Sequence, residues 1–189
     1  EKFVHTLLEF RDQGVLYKEI EAKRVVFCEG FGMKKNPFFN YLPLNGTKGE
    51  TITIKAPDLD IDFLVKSTLF VLPLGNGYYK IGATFNWTDK SSEPTKEGKL
   101  ELIQKLDKVI SVPYDIVEHH AGIRPTVKDR RPLVGMHPKH TQLAVLNGLG
   151  TRGVMIAPSM AKQLYNHLEN QEPLDPETDI QRFGNSELD

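Results

Sequence analysis

The sequence predicts an α+β fold: a mostly antiparallel sheet with one flanking helix, bracketed by further strands and closed by a C-terminal helix. Three observations carry this prediction. The runs Phe70–Leu74 and Tyr78–Thr84 flank Asn76-Gly77, a pair that adopts positive φ at low cost and so favours the tight turn whose twist suits a hairpin. Leu102, Ile103, Leu106, Val109 and Ile110 recur with helical spacing, with Thr95 as N-cap and Pro113 as stop, which puts a helix over residues 97–110. The apolar run at Leu143–Leu146 empties into Gly148-Leu149-Gly150-Thr151-Arg152-Gly153, after which Ala157, Met160, Ala161, Leu164 and Leu168 share one helical face.

The remaining elements follow in order. Phe3, Leu7, Leu8 and Phe10 could line a helix, but Asp12-Gln13-Gly14 is a turn signal and Val15-Leu16-Tyr17 resumes strand-type residues, so a β-meander is expected. Arg24–Cys28 is a short continuous apolar run ending at a glycine loop, the pattern of a strand buried on both faces. Thr51–Lys55 alternates as a half-buried strand does, and Asp115–Arg124 also reads as a strand. Residues 170–189 are polar and interrupted by proline, as in a loosely held tail.

Composition narrows the function classes. With 24 Lys+Arg against 25 Asp+Glu the formal net charge is -1, which argues against a nucleic-acid binder or a membrane-surface binder. The single cysteine, Cys28, cannot form an internal disulfide or a thiolate metal cage. A reducing, cytoplasmic setting is therefore expected, with Cys28 acting as a small buried hydrophobe. No apolar run reaches the length of a membrane span. The chain starts at Glu1 without a methionine or a leader, as a fragment would.

Chemistry concentrates in two places. The strand–G-x-G-x-x-G–helix run at Gly148–Gly153 lets backbone approach a ligand closely and sets amides at a helix start, where negative charge is favoured. A purely packing turn would read the same way. A dinucleotide unit also needs a further strand, with an acid about 20 residues on; beyond Leu168 no apolar run could make one. Arg124 ends a strand-like stretch beside the stiff Pro125. There it could offer a planar fork to a carboxylate, or pair structurally with Asp129. His119 and His120 alternate, so only one can face a site; His137 and His140 are too few for a metal. Trp87, Tyr78 and Tyr79 could roof a pocket or pack across strands.

Several motifs occur in a shared order. They are Lys48-Gly49-Glu50, Tyr79–Thr84 ending in Ile-Gly-Ala-Thr, Gly122-Ile123-Arg124-Pro125, Asp129–Gly135 as D-x-x-P-x-x-G, Gly148–Gly153, and Ala157-Pro158. In that order they resemble the C-terminal part of the FAD-dependent amino-acid oxidase family, the glycine oxidase/D-amino-acid oxidase type. Val25–Gly30 stands where that family has a strand ending in Ala-Thr-Gly, here with Cys28-Glu29 in place of Ala-Thr.

The resemblance implies a layout. Residues 1–34 and 122–169 would belong to an FAD-binding domain whose N-terminal fingerprint is missing, 38–121 to a substrate domain, and 170–189 to the tail. It implies FAD contacts at Gly30, Gly49, Gly148, Gly150, Thr151, Arg152 and Gly153, largely through backbone N–H groups, and a substrate-carboxylate contact at Arg124. FAD would be non-covalent, because some relatives tether it through a cysteine downstream of the arginine motif and none stands there. The implied reaction moves hydride from the nitrogen-bearing carbon of an amino acid or small amine to flavin. It requires no dedicated catalytic base and no metal, and the missing N-terminal half is the expected partner. The alternative is a non-catalytic flavin-fold subunit that binds a carboxylate or a partner chain.

Overall fold

A computed structural model of the chain describes residues 3–184. The chain divides into two compact units, Glu1–Asn45 together with Arg124–Asp189, and Gly46–Ile123.

The first unit opens with the meander: β1 (Leu8–Arg11), β2 (Gly14–Tyr17) and β3 (Ile20–Ala22), antiparallel in that order. Gly14 is required because a Cβ there would lie 2.5 Å from the Ala22 carbonyl oxygen. β4 (Val25–Phe27) then joins a second sheet built from the far end of the chain. It runs parallel to β11 (Leu143–Asn147), which pairs antiparallel with β10 (Leu133–Met136).

The helix α2 (Gly153–Asn170) covers β10 and β11 through Leu164, which packs with Val134 and Ala144. On the sheet's other face Phe27, Leu133, Leu143 and Val145 join Val15, Met33 and Phe39 in a larger core. β4 departs from the expected strand buried on both faces. Phe27 is buried, but Val26 is 43% exposed. β4 is the edge strand of the described sheet, and Val26, in register with Ala144, lies on the face where α2 packs chiefly over β10 and β11. Cys28 is exposed rather than buried, because it falls one residue past the strand's end.

The expected loose tail is also corrected over its described part. Leu174 and Ile180 are buried, Val134 N–H donates to Thr178 O (3.0 Å), and Ile180 Cγ1 would lie 2.9 Å from a Cβ at Gly135. Two apolar side chains spaced among polar residues suffice to dock the segment, which mean polarity conceals. Residues 185–189 of that tail lie outside the described residues.

The second unit is a five-stranded sheet with one helix. β5 (Thr47–Lys55) lies between β8 (Tyr78–Gly82) and β9 (Asp115–Arg124), while β7 (Phe70–Gly75) joins β8 to the edge strand β6 (Val65–Lys66). The hairpin at Asn76-Gly77 is present as expected, with φ of 54° and 76°. Helix α1 (Lys96–Leu106) sets Leu102 and Leu106 against Ile52, Ile54, Val71 and Ile81. Thr95 caps it, accepting from Gly98 N–H at 3.0 Å. It stops four residues before Ile110, where tighter turns take over and the amides of Val109 and Ile110 both donate to Leu106 O. Val109 and Ile110 still pack on the core, so apolar spacing outlasts the helix.

Candidate cofactor and substrate site

The glycine turn is built by β11 running straight into α2. Gly148 (φ 69°) and Gly150 (φ 58°) both occupy the left-handed region that glycine enters at no steric cost. Their surroundings differ. A Cβ at Gly148 would lie 2.7 Å from Val127 Cγ2, so protein fills that space, whereas at Gly150 nothing approaches closer than Thr126 Cγ2 at 3.6 Å.

Several amides of the turn already have partners. Gly148 N–H donates to Asn147 Oδ1 (2.8 Å), Gly150 N–H to Pro125 O (3.0 Å), and Arg152 N–H to Leu149 O (3.2 Å). The first turn of α2, at Val154 and Met155, is where a helix presents amides without i→i−4 partners, and its dipole there favours an anionic or electron-rich ligand. The side chains there are apolar and uncovered: Val154 is 100% exposed and Met155 72%. Arg152 turns away and donates Nη2–H to Arg130 O (3.1 Å).

Arg124 is fastened beside this turn. Pro125, the next residue, accepts the Gly150 amide, and Thr126 N–H donates back to Arg124 O (2.9 Å). The guanidinium is partly buried, and burial pushes it below its usual value, yet an arginine stays cationic at neutral pH all the same. Asp129 accepts from Arg182 Nε (3.0 Å) and from Arg131 N–H (3.0 Å).

A second loop reaches the same neighbourhood from β4. Gly30 has φ 56°, and a Cβ there would meet no atom within 4 Å; its carbonyl accepts from Asn147 Nδ2 (2.9 Å). Glu29, standing where the resembled family has threonine, is held by His5 Nε2 (2.8 Å) and Asn36 Nδ2 (2.7 Å). Its carboxylate thus braces the loop from inside. The link through Asn147 is one that sequence reasoning missed. Its signal was a polar residue at the buried parity of β11, in line with Leu143 and Val145.

Gly49 lies buried within β5 of the other unit, between two buried charges. Lys48, 1% exposed, directs its ammonium to Asp89 Oδ2 (2.6 Å), Ser91 Oγ (3.0 Å) and Glu93 O (2.5 Å), which uses all three donors. Glu50 accepts from Thr95 N–H (2.9 Å) and Thr95 Oγ–H (2.7 Å), with His119 Nε2 at 2.8 Å. Burial pushes the Glu50 carboxyl up, but Thr95, His119 and Lys48 together outweigh it and hold the group below the usual carboxylate range. This cluster fastens α1 and the segment before it to β5, a structural duty. His120 pairs instead with Glu118 (3.3 Å). His137 is buried, and its Nδ1 accepts the amides of Lys139 and His140, so it closes a turn.

A strand–glycine turn–helix joined to an arginine-bearing strand, in a chain that also carries an antiparallel sheet unit, is the arrangement that the resemblance implies for an FAD-dependent oxidoreductase, and comparisons with known proteins agree. The FAD dependent oxidoreductase family matches residues 4–166, and the chain belongs to that family. It is 25% identical over 161 residues to glycine oxidase of Bacillus subtilis (strain 168), covering 82% of this chain and 43% of that protein. It is 28% identical over 189 residues to the tRNA 5-methylaminomethyl-2-thiouridine biosynthesis bifunctional protein MnmC of Azoarcus sp. (strain BH72), covering 89% and 29%. The crystal structure of iminodiacetate oxidase from Chelativorans sp. BNC1 shares the fold, with a TM-score of 0.72 at 22% identity over 89% of this chain and 49% of that one. The chain therefore spans less than half the length of these relatives.

The residues present fit FAD. Gly30 and Gly150 leave room where backbone can approach a flat ligand, amides are offered at the start of α2, and the uncovered Val154 and Met155 suit an apolar surface.

Proposed function

We propose that this chain is the portion of an FAD-dependent oxidoreductase that holds the substrate carboxylate and the flavin's pyrimidine end, and that the whole protein oxidises the C–N bond of an amino acid or related amine. The observation that carries the reading is the hydrogen bond from Gly150 N–H to Pro125 O, 3.0 Å. It locks the arginine that would grip the substrate to the turn that would face the cofactor.

FAD, when bound, supplies the acceptor for hydride leaving the nitrogen-bearing carbon. This chain's residues bind and orient. Arg124 offers two parallel N–H donors to a carboxylate, fixing direction as well as charge. The first-turn amides and dipole of α2 favour negative charge accumulating on a group at its N-terminus. Hydride departs most readily from the neutral amine, so the substrate's own deprotonation replaces a catalytic base. Within the first unit Gly30, Gly150, Thr151 and Gly153 are assigned to the cofactor side and Arg124 to the substrate, while Gly148 and Arg152, whose amides are bonded within the turn, shape it.

The test uses the full-length protein, with any coding sequence found upstream of this chain. It should purify yellow, and its visible absorption should bleach anaerobically when glycine, an N-substituted glycine or iminodiacetate is added. A flavin-loaded protein that no amine or amino acid bleaches would favour the non-catalytic alternative.

A further inference from the structure

We propose that Asn147 is a positioning residue that makes two separate backbone loops act as one cofactor-binding surface. This rests on the FAD reading above and deepens it. Asn147 occupies the buried parity of β11, where Leu143 and Val145 are apolar core residues, and it is itself only 3% exposed. A buried amide in an apolar core is costly unless its polar atoms are paired. Its side-chain partners among the described residues belong to two loops. Nδ2 donates to Gly30 O (2.9 Å) and contacts Met33 Sδ (3.4 Å), while Oδ1 accepts from Gly148 N–H (2.8 Å).

Those loops are 117 residues apart in sequence. Each carries a left-handed glycine whose open side holds no protein: Gly30, with nothing within 4 Å, and Gly150, with only Thr126 Cγ2 at 3.6 Å. A leucine would fill the same core volume without joining anything. The polar choice at this position is explained if the spacing between the Gly30 carbonyl and the glycine turn must be held for a ligand that spans both.

The experiment uses the whole flavoprotein and three readouts: FAD dissociation constant by flavin fluorescence, flavin midpoint potential, and backbone hydrogen exchange with and without FAD. In the parent protein, FAD should protect the segments around Gly30 and around Gly148–Gly153 together. Asn147→Leu keeps the core volume and removes both links. It should weaken FAD binding about tenfold, in line with two lost hydrogen bonds, shift the midpoint potential, and abolish the shared protection at Gly30. Asn147→Asp keeps the acceptor for Gly148 N–H and loses the donor to Gly30 O, so it should lose protection at Gly30 alone.

A purely structural role predicts a lowered Tm of the apoprotein with FAD affinity and potential unchanged, and that outcome overturns the proposal. So does protection by FAD of only one of the two segments in the parent protein, a result that stands even if the variants fail to fold. A parent protein that binds no FAD at all would instead sink the reading of the cofactor.

Discussion

Arg124 and Lys48 are both partly or fully buried cations, and the structure gives them opposite expected behaviour. Arg124→Lys keeps the charge and loses the planar fork. It should lower kcat/KM for a carboxylate-bearing amine by roughly 10²-fold while flavin content stays unchanged; unchanged kinetics would retire it as a substrate ligand. Lys48→Met removes the ammonium that faces Glu50 and Asp89. Breaking a buried pair on one side costs ~3–5 kcal/mol, so chemical denaturation should show a large loss with little selective effect on substrate. Asp89 adds a pH signature. The Lys48 ammonium, then the amide and hydroxyl of Ser91, hold its carboxyl at about 2 against the usual 3.8. A depressed folded value means the stabilisation is complete above 3.8 and is lost as pH falls towards about 2. The acid limb of a stability–pH curve should therefore flatten over that window in Asp89→Asn; an unchanged limb would remove Asp89 from the account. None of these partners could be read from sequence. Lys48-Gly49-Glu50 looked like a motif, but its contacts come from residues more than forty positions away.

At the scale of elements, local signals were legible wherever one physical rule acted alone. The hairpin followed from Asn76-Gly77, the cap of α1 from Thr95, and the strand at Thr51–Lys55 from alternation. The failures lay where tertiary context took over, at the edge position of β4, the early stop of α1 and the docked segment around Ile180. Gly98 in α1 makes the distinction testable. In an exposed helix interior, glycine to alanine gains up to ~1 kcal/mol. Here a Cβ would lie 2.5 Å from the Glu50 carboxyl carbon, and Thr95 pins that carboxylate where it is. Gly98→Ala should therefore destabilise the protein by ~1–3 kcal/mol, read as a lower denaturation midpoint; a stabilised variant would mean that Glu50 can yield. The glycine turn fared in between. Its place between strand and helix was readable, but which amides remain available was not, because Asn147 and Pro125 claim two of them.

For the whole molecule, the relatives' greater length and the uncovered Val154, Met155 and Val26 lead to one expectation: the isolated 189-residue chain should be colourless. One helix terminus contributes only ~0.3–1 kcal/mol per charge, against about 8 kcal/mol for micromolar binding. Stoichiometric FAD retained by the dialysed chain would contradict this. The first unit is also discontinuous, since its two stretches flank Gly46–Ile123 and meet where Asn45 N–H donates to Thr126 O (2.6 Å). Pairing β4 with β11 across an unfolded intervening chain would demand closure of a long loop, whose entropic cost grows as about (3/2)RT ln n. Once the intervening unit folds, that stretch no longer behaves as a flexible loop, and the strands flanking it meet at a much smaller entropic cost. Topology thereby favours one order of assembly: in pulse-labelled refolding, amides of β5, β7 and β8 should acquire protection before those of β4 and β11, and a lesion such as Gly98→Ala should slow the pairing of β4 with β11.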